Sequence, residues 1–143
     1  MMEDFLIAPN KPLCVIIAGS RNYPFIDYIN GGADGVARAV AASGLKIGTV
    51  ISGGARGADA AGEMWAYVNN IPVEVFPADW DTHGKKAGIL RNAEMAKHAD
   101  ALIALWDGKS RGTRDMIERM AKKPTCIYWE KKWDAEELND ITR

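Results

Sequence analysis

The sequence predicts an α/β fold: a single Rossmann-like domain, with a mainly parallel sheet of about five strands flanked by helices. Three observations point there. Short apolar runs recur along the chain with enough residues between them for a helix. The runs are continuously apolar and not alternating, the pattern of strands covered on both faces. Three of the loops that follow them are rich in glycine, hydroxyl residues and arginine.

Taken in order, the strands are Val15-Ile16-Ile17-Ala18, Thr49-Val50-Ile51, Val73-Glu74-Val75-Phe76, Ala101-Leu102-Ile103-Ala104-Leu105 and Thr125-Cys126-Ile127-Tyr128. Between the first two, Tyr23 to Gly48 predicts a helix broken at Gly31-Gly32, whose second half carries Val36, Ala39 and Val40. Ala61, Met64, Trp65 and Val68 fall at i, i+3, i+4 and i+7, predicting a helix over about Ala58 to Asn70 with that stripe inward. Ile89, Ala93 and Ala96 predict the inward stripe of a helix near Lys85 to His98, which sets Arg91 off the buried face. Ile117, Met120 and Ala121 predict a third, short helix.

At 143 residues the chain fits one domain, 1–143, with a core over about 14–128 and a tail over 129–143. The net charge of −1 argues against a surface that is one electrostatic footprint for duplex DNA or an anionic membrane. Cys14 and Cys126 match no zinc or redox spacing and read as buried thiols of a reducing compartment. The start, MMEDFLIAPNKPLC, lacks the basic and apolar order of a signal peptide, and no run is long enough to span a bilayer. A cytoplasmic location is the expectation. His83 and His98 have no partner at ligand spacing, so neither a metal nor another cofactor is expected.

In an open parallel sheet the ligand crevice lies beyond the carboxyl ends of the strands, where helix N-termini present free N–H groups. The loops at that edge read Gly19-Ser20-Arg21-Asn22, then Ser52-Gly53-Gly54-Ala55-Arg56-Gly57-Ala58-Asp59, then Pro77-Ala78-Asp79-Trp80, then Asp107-Gly108-Lys109-Ser110-Arg111-Gly112-Thr113. Glycine admits close backbone approach, Ser and Thr cap helices or bond phosphate oxygens, and arginine offers a planar fork to an oxyanion. Together they describe an anion cradle, most simply for phosphate. There is no GxxxxGK[ST] and no GxGxxG, so neither a P-loop nor a dinucleotide fingerprint is present.

The stretch Leu90 to Leu105, LRNAEMAKHADALIAL, followed by Gly112-Thr113, resembles the core of the Lonely Guy phosphoribohydrolases. With AGSRNY, ISGGARGADAAGEMWA, FPADWDTHGKKAGILRN and WDGKSRGTRDMI, the chain from about Cys14 to Tyr128 resembles the YspA-type (cpYpsA-related) branch of the wider SMF/DprA-LOG (SLOG) superfamily. The resemblance implies a Rossmann-like fold, a ligand among nucleotides, nucleotide derivatives or nucleic acid, and a homodimer. It sets Arg91 at the substrate-activating arginine of the phosphoribohydrolases and Gly112-Thr113 at their phosphate-binding pair. The position of their catalytic glutamate, counted from Gly112-Thr113, holds Met116, with Asp115 one residue early.

The expected ligand-binding set is therefore Gly19, Ser20, Arg21, Ser52, Gly53, Gly54, Arg56, Gly57, Asp59, Arg91, Asn92, Gly112 and Thr113, with Arg91 and Asp115 as candidate catalytic residues. Several have a plainer reading beside the functional one. Asp115 in a first turn complements the helix dipole; Asp59 caps the second helix or pairs with Arg56; Asp79 and Asp81 structure a turn. Lys85 and Lys86 are solvated surface or part of a basic rim, and Trp80 and Trp106 either close the core or stack a base. The expected partner is a nucleotide or nucleotide-derived small molecule, with phosphoribohydrolase-like N-glycosidic hydrolysis as the enzymatic form. The alternatives are a single-stranded nucleic-acid-binding module, and a partner-binding protein with a vestigial pocket whose tail, WEKKWDAEELND, serves self-association.

Overall fold

The computed structural model describes residues 11–23 and 33–129. The predicted break near Gly31-Gly32 and the tail beyond Trp129 lie outside the described residues. The elements run β1 (Leu13–Gly19), α1 (Ala33–Ser43), β2 (Ile47–Ser52), α2 (Ala58–Val68), β3 (Val73–Val75), α3 (Trp80–His83), a 3-10 turn (Gly84–Lys86), α4 (Ala87–His98), β4 (Ala101–Trp106), α5 (Arg111–Arg119) and β5 (Thr125–Trp129). The five strands form one sheet in the order β3-β2-β1-β4-β5, and every pairing is parallel.

Parallel neighbours need crossover connections, and here the crossovers clothe both faces of the sheet. Leu13, Val15 and Ile17 of β1, with Ala101, Ile103 and Leu105 of β4, point to the face covered by α1 and α2, where Val36, Ala39, Ala61 and Trp65 meet them. Ile16 and Ala18, with Leu102 and Ala104, point to the other face, where α4 and α5 bring Met95 and Met116, and Met120 follows. The period of two along each strand thus feeds two cores from one run of apolar residues. Lys123 closes the lower end of the second face by donating to the carbonyls of Ala96 and Ala99, each at 2.7 Å, at the C-terminus of α4.

The helix stripes read from the sequence need correction. In α2, Ala61 and Trp65 are buried as expected, but Val68 is 56% exposed and Met64 also faces outward. The buried face is built instead from small residues, Ala58, Gly62 and Ala66, because α2 lies close on β1: a Cβ on Gly62 would stand 2.7 Å from Cγ2 of Ile17. In α4, Ile89 is 49% exposed, and the buried positions are Ala87, Asn92 and Met95. The inward face of α4 is partly polar, so a search for an apolar stripe rotates the helix. At the end of α5, Met120 is buried as read, but it is the C-cap residue, Ala121 beyond it is exposed, and Met116 takes the core position within the helix. Cys14 and Cys126 are free and half-buried, since each occupies a strand position that the covering helices reach only in part. No helix among the described residues is long and apolar enough to cross a membrane.

Candidate functional site

The strand order reverses direction about β1 and β4: from β1 the chain moves toward β3, and from β4 toward β5. Loops leaving the two strands therefore diverge, and the gap between them is where such sheets bind ligands. A cavity of about 570 Å³ opens there, lined from β1 by Ala18 to Asn22 and from β4 by Asp107, Lys109, Ser110, Gly112 and Thr113.

The two strand ends are tied together. Ser20 N–H donates to the Leu105 carbonyl at 3.0 Å, and Asp107 N–H donates to the Ser20 hydroxyl at 3.2 Å. The Ser20 carbonyl in turn accepts from Ala58 N–H, the first residue of α2, at 3.1 Å. Gly57 permits this contact: its φ is +78°, and a Cβ there would lie 2.4 Å from the Ser20 carbonyl oxygen. Gly57 thus shapes the floor without lining the cavity.

On the β4 side Asp107 folds its own loop, accepting from the N–H groups of Lys109 at 2.8 Å and Ser110 at 2.9 Å. Partial burial works against its ionisation, but these N–H groups outweigh it and hold the carboxyl below the ordinary aspartate value. Ser110 caps α5, accepting from Thr113 N–H at 3.4 Å and from the Thr113 hydroxyl at 3.1 Å. Gly112 and Thr113 therefore belong to the first turn of a helix and not to a loop. The N–H groups of Arg111 and Gly112, first in that helix, have no intrahelical acceptor.

The third wall comes from β2, α2 and α4. Gly53 follows β2 in so tight a space that a Cβ would stand 2.7 Å from Nη1 of Arg91 and 2.9 Å from Oδ2 of Asp59. Arg91 reaches across to donate to the Gly53 carbonyl at 2.5 Å, and its Nε donates to Asn92 Oδ1 at 3.2 Å. It is half-buried rather than a solvated surface arginine. Burial lowers its pKa, the charge of Asp59 works against that, and the like charge of Arg21 adds a smaller lowering.

Asp59 is only 6% exposed and accepts from Ala55 N–H at 3.2 Å. Burial pushes its pKa up to about 6, against the pull of that N–H and of the Arg91 charge. Asp59 lines the cavity and does not sit at the N-cap, which is Gly57.

Asn92, missed as a core residue because it is polar, joins α4 to α5. Its amide donates to the Gly112 carbonyl at 3.2 Å and to Asp115 Oδ2 at 3.0 Å. Asp115 also accepts from Arg119 Nε at 2.9 Å and does not line the cavity. Met116, 2% exposed, does line it. Ser52 is turned inward, its hydroxyl donating to Glu63 at 2.5 Å and accepting from Gly54 N–H at 3.1 Å. Gly54 and Arg56 line an adjoining cavity over β2 and β3.

Of the expected binding set, Gly19, Ser20, Arg21, Gly53, Asp59, Arg91, Asn92, Gly112 and Thr113 meet in the first cavity, while Ser52 and Gly57 support it from behind. Gly88 and Met95 also line it and carried no sequence signal, since small and apolar helix residues read as core. Among the described residues no three His, Cys, Asp or Glu side chains group as a metal site.

Residues 13–83 match the model of a family described as YspA, cpYpsA-related SLOG (YAcAr). These 71 residues, just under half of the chain, are thus similar to that SLOG family. They contribute Gly19 to Arg21, Gly53 to Asp59 and Trp80 to the edge just described; Arg91 and the α5 turn lie beyond the match. The chain is also similar to the Gene 61 protein of Mycobacterium phage D29, 44% identical over 79 residues, 51% of this chain and 63% of that protein. Among solved structures, DNA processing protein A (DprA) from Streptococcus pneumoniae matches with a TM-score of 0.62 at 17% identity, over 94% of this chain and 57% of that one. The chain thus spans less than two thirds of either relative. The likeness to DprA carries the fold, a parallel five-stranded sheet between helices.

Proposed function

We propose that the carboxyl edge of the sheet binds a phosphate-bearing nucleotide or a nucleotide-derived small molecule. The observation that carries the reading is the cavity between β1 and β4, which Arg21, Lys85, Arg91 and Lys109 line together with the first turn of α5. Cations on several sides and N–H groups without intrahelical acceptors suit a phosphate, and the SLOG match and a volume within the range of small-molecule sites support the reading.

N-glycosidic hydrolysis is the enzymatic form of this proposal. It needs a carboxylate facing the ribose to stabilise an oxocarbenium-like state. Met116 cannot supply one, and Asp115 is engaged with Asn92 and Arg119. Asp59 and Asp107 are the carboxylates that line the cavity. Burial holds Asp59 partly protonated toward neutral pH while hydrogen bonds keep Asp107 ionised, a division suited to acid and base roles.

The test is thermal unfolding with nucleoside monophosphates. A ligand at a hundred times its Kd stabilises the native state by about 2.7 kcal/mol. The expected result is a shift with at least one monophosphate, lost in Arg91→Ala and reduced in Lys109→Ala, whose exposed side chain leaves the fold unaffected. No shift with any monophosphate sinks the proposal. Base release above a no-protein control, lost in Asp59→Asn, is the result expected of a hydrolase; its absence restricts the site to binding.

A second reading, single-stranded nucleic acid, draws on the structural likeness to a DNA processing protein. The net charge of −1 counts against it, because tracking a backbone takes several uncompensated cations. Oligonucleotide binding that weakens steeply with salt would favour it over the small molecule.

A further inference from the structure

Two cavities, each of about 570 Å³, open side by side on the carboxyl edge. The second lies over β2 and β3, against Val75, Pro77 and Ala78, with Arg56 at its rim. Arg21, Gly53, Ala55, Trp80 and Arg91 line both, so the two are lobes of one cleft that meet at a pair of arginines. Burial is the chief reason the pKa of Arg91 is lowered, and the like charge of Arg21 adds a smaller push in the same direction, one that an anion between the two would offset.

The lobes differ in chemistry. The first holds the buried carboxyl of Asp59, the α5 turn and Lys109; the second offers apolar surface from Val75, Pro77 and Ala78, with Val75 about half exposed, and Trp80 stands between the two. A nucleoside monophosphate placed in the first lobe leaves the apolar surface of the second in water, where burying it would add affinity. We propose that the occupant is bipartite: a nucleoside joined through a diphosphate to a second sugar or nucleoside, with the diphosphate between Arg21 and Arg91 and one moiety in each lobe. The proposal rests on the nucleotide-binding reading above and names its substrate class.

The test is calorimetric titration of AMP, ADP-ribose and diadenosine diphosphate against the wild type, Ala78→Trp and Val75→Glu, the first variant filling the second lobe and the second placing a negative charge in it. Neither residue lines the first lobe. The bridged compounds are expected to bind the wild type at least about tenfold more tightly than AMP. Both variants should lose that advantage and keep the affinity for AMP, which also shows that they fold. Equal affinity for AMP and the bridged compounds, or bridged affinity unchanged in both variants, overturns the bipartite occupant and leaves the nucleotide reading standing. No binding by any compound overturns both. A short single-stranded oligonucleotide that outcompetes all three, with steep salt dependence, overturns it in favour of nucleic acid.

Discussion

On one face of the sheet, α1 and α2 bury valine, alanine and tryptophan against β1 and β4; on the other, α4 and α5 bury methionines together with Asn92 and Thr113. The first face is a conventional close-packed core, set by small residues that let α2 approach β1. The second gives up part of its apolar stripe to the cleft: Arg91, Asn92 and Thr113 stand where a purely structural helix pair would carry leucines. Both faces hold a buried core, but the second also gives up helix positions to the cleft, which the first reaches chiefly through Asp59 at the start of α2. Substitutions on the two faces test this difference.

The largest effect should come from the first face. Trp65 is buried in the core with β1 and lines neither lobe, so Trp65→Ala is expected to cost about 3–5 kcal/mol in denaturant unfolding. Nucleotide affinity of the folded fraction should stay within about twofold. Met95→Ala on the opposite face removes a buried side chain that also lines the cavity, so it should lower stability and affinity together. Equal effects on affinity from the two variants would break the comparison.

A smaller effect, with a pH signature, belongs to Asp59. Its folded pKa is raised from 3.8 to about 6, so the folded protein binds more protons than the unfolded chain between those values. The stabilisation tied to the proton is complete below about 3.8 and is lost as pH rises through about 6. A shift of about two units corresponds to about 3 kcal/mol, at 1.36 kcal/mol per unit. Asp59→Asn keeps an acceptor for Ala55 N–H and removes the titration, so its unfolding free energy should lose this fall between pH 4 and 7. A variant whose pH dependence matches the wild type across that range would show that Asp59 does not titrate there.

The same contrast explains what was legible in the sequence. β1 and β4 announce themselves as uninterrupted apolar runs because both of their faces are covered, β2 and β5 are legible as shorter runs of the same kind, and the loops at the carboxyl ends follow from the topology. The stripes of α2 and α4 were misjudged for opposite reasons. In α2, Gly62 and three alanines do the packing, and small residues weigh little in a search for apolar period; in α4, the inward face carries Arg91 and Asn92, which such a search assigns to solvent. Arg91 was nonetheless picked out through the family resemblance, which preserves residue identity where periodicity erases it. Ser52 and Gly57 were placed in the site because loop composition cannot tell a residue that faces a ligand from one that supports the residue that does. The residues of the second lobe lie in loops that the sequence marks, Gly53 to Arg56 and Pro77 to Trp80, but their separation into a lobe of its own beside Val75 depends on where the edge strand β3 ends.

Asp115 should give the smallest effect, and a decisive one for the site. Resemblance to the phosphoribohydrolases makes it the nearest acid to the position of their glutamate, yet its carboxylate is occupied: Asn92 donates to it at 3.0 Å and Arg119 at 2.9 Å. The Arg119 contact is an i,i+4 pair on a partly exposed helix face, which contributes about 0.3–0.5 kcal/mol. Asn92 keeps its other acceptor, the Gly112 carbonyl, when Asp115 is removed. Asp115→Ala should therefore cost no more than about 1 kcal/mol of stability and change nucleotide affinity, and any turnover, less than about twofold. A loss of turnover of a hundredfold or more without loss of affinity would move the reacting centre to the α5 side of the cleft. Asp59 would then be left as a buried carboxyl that only holds the loop of Gly53 to Ala55 in place.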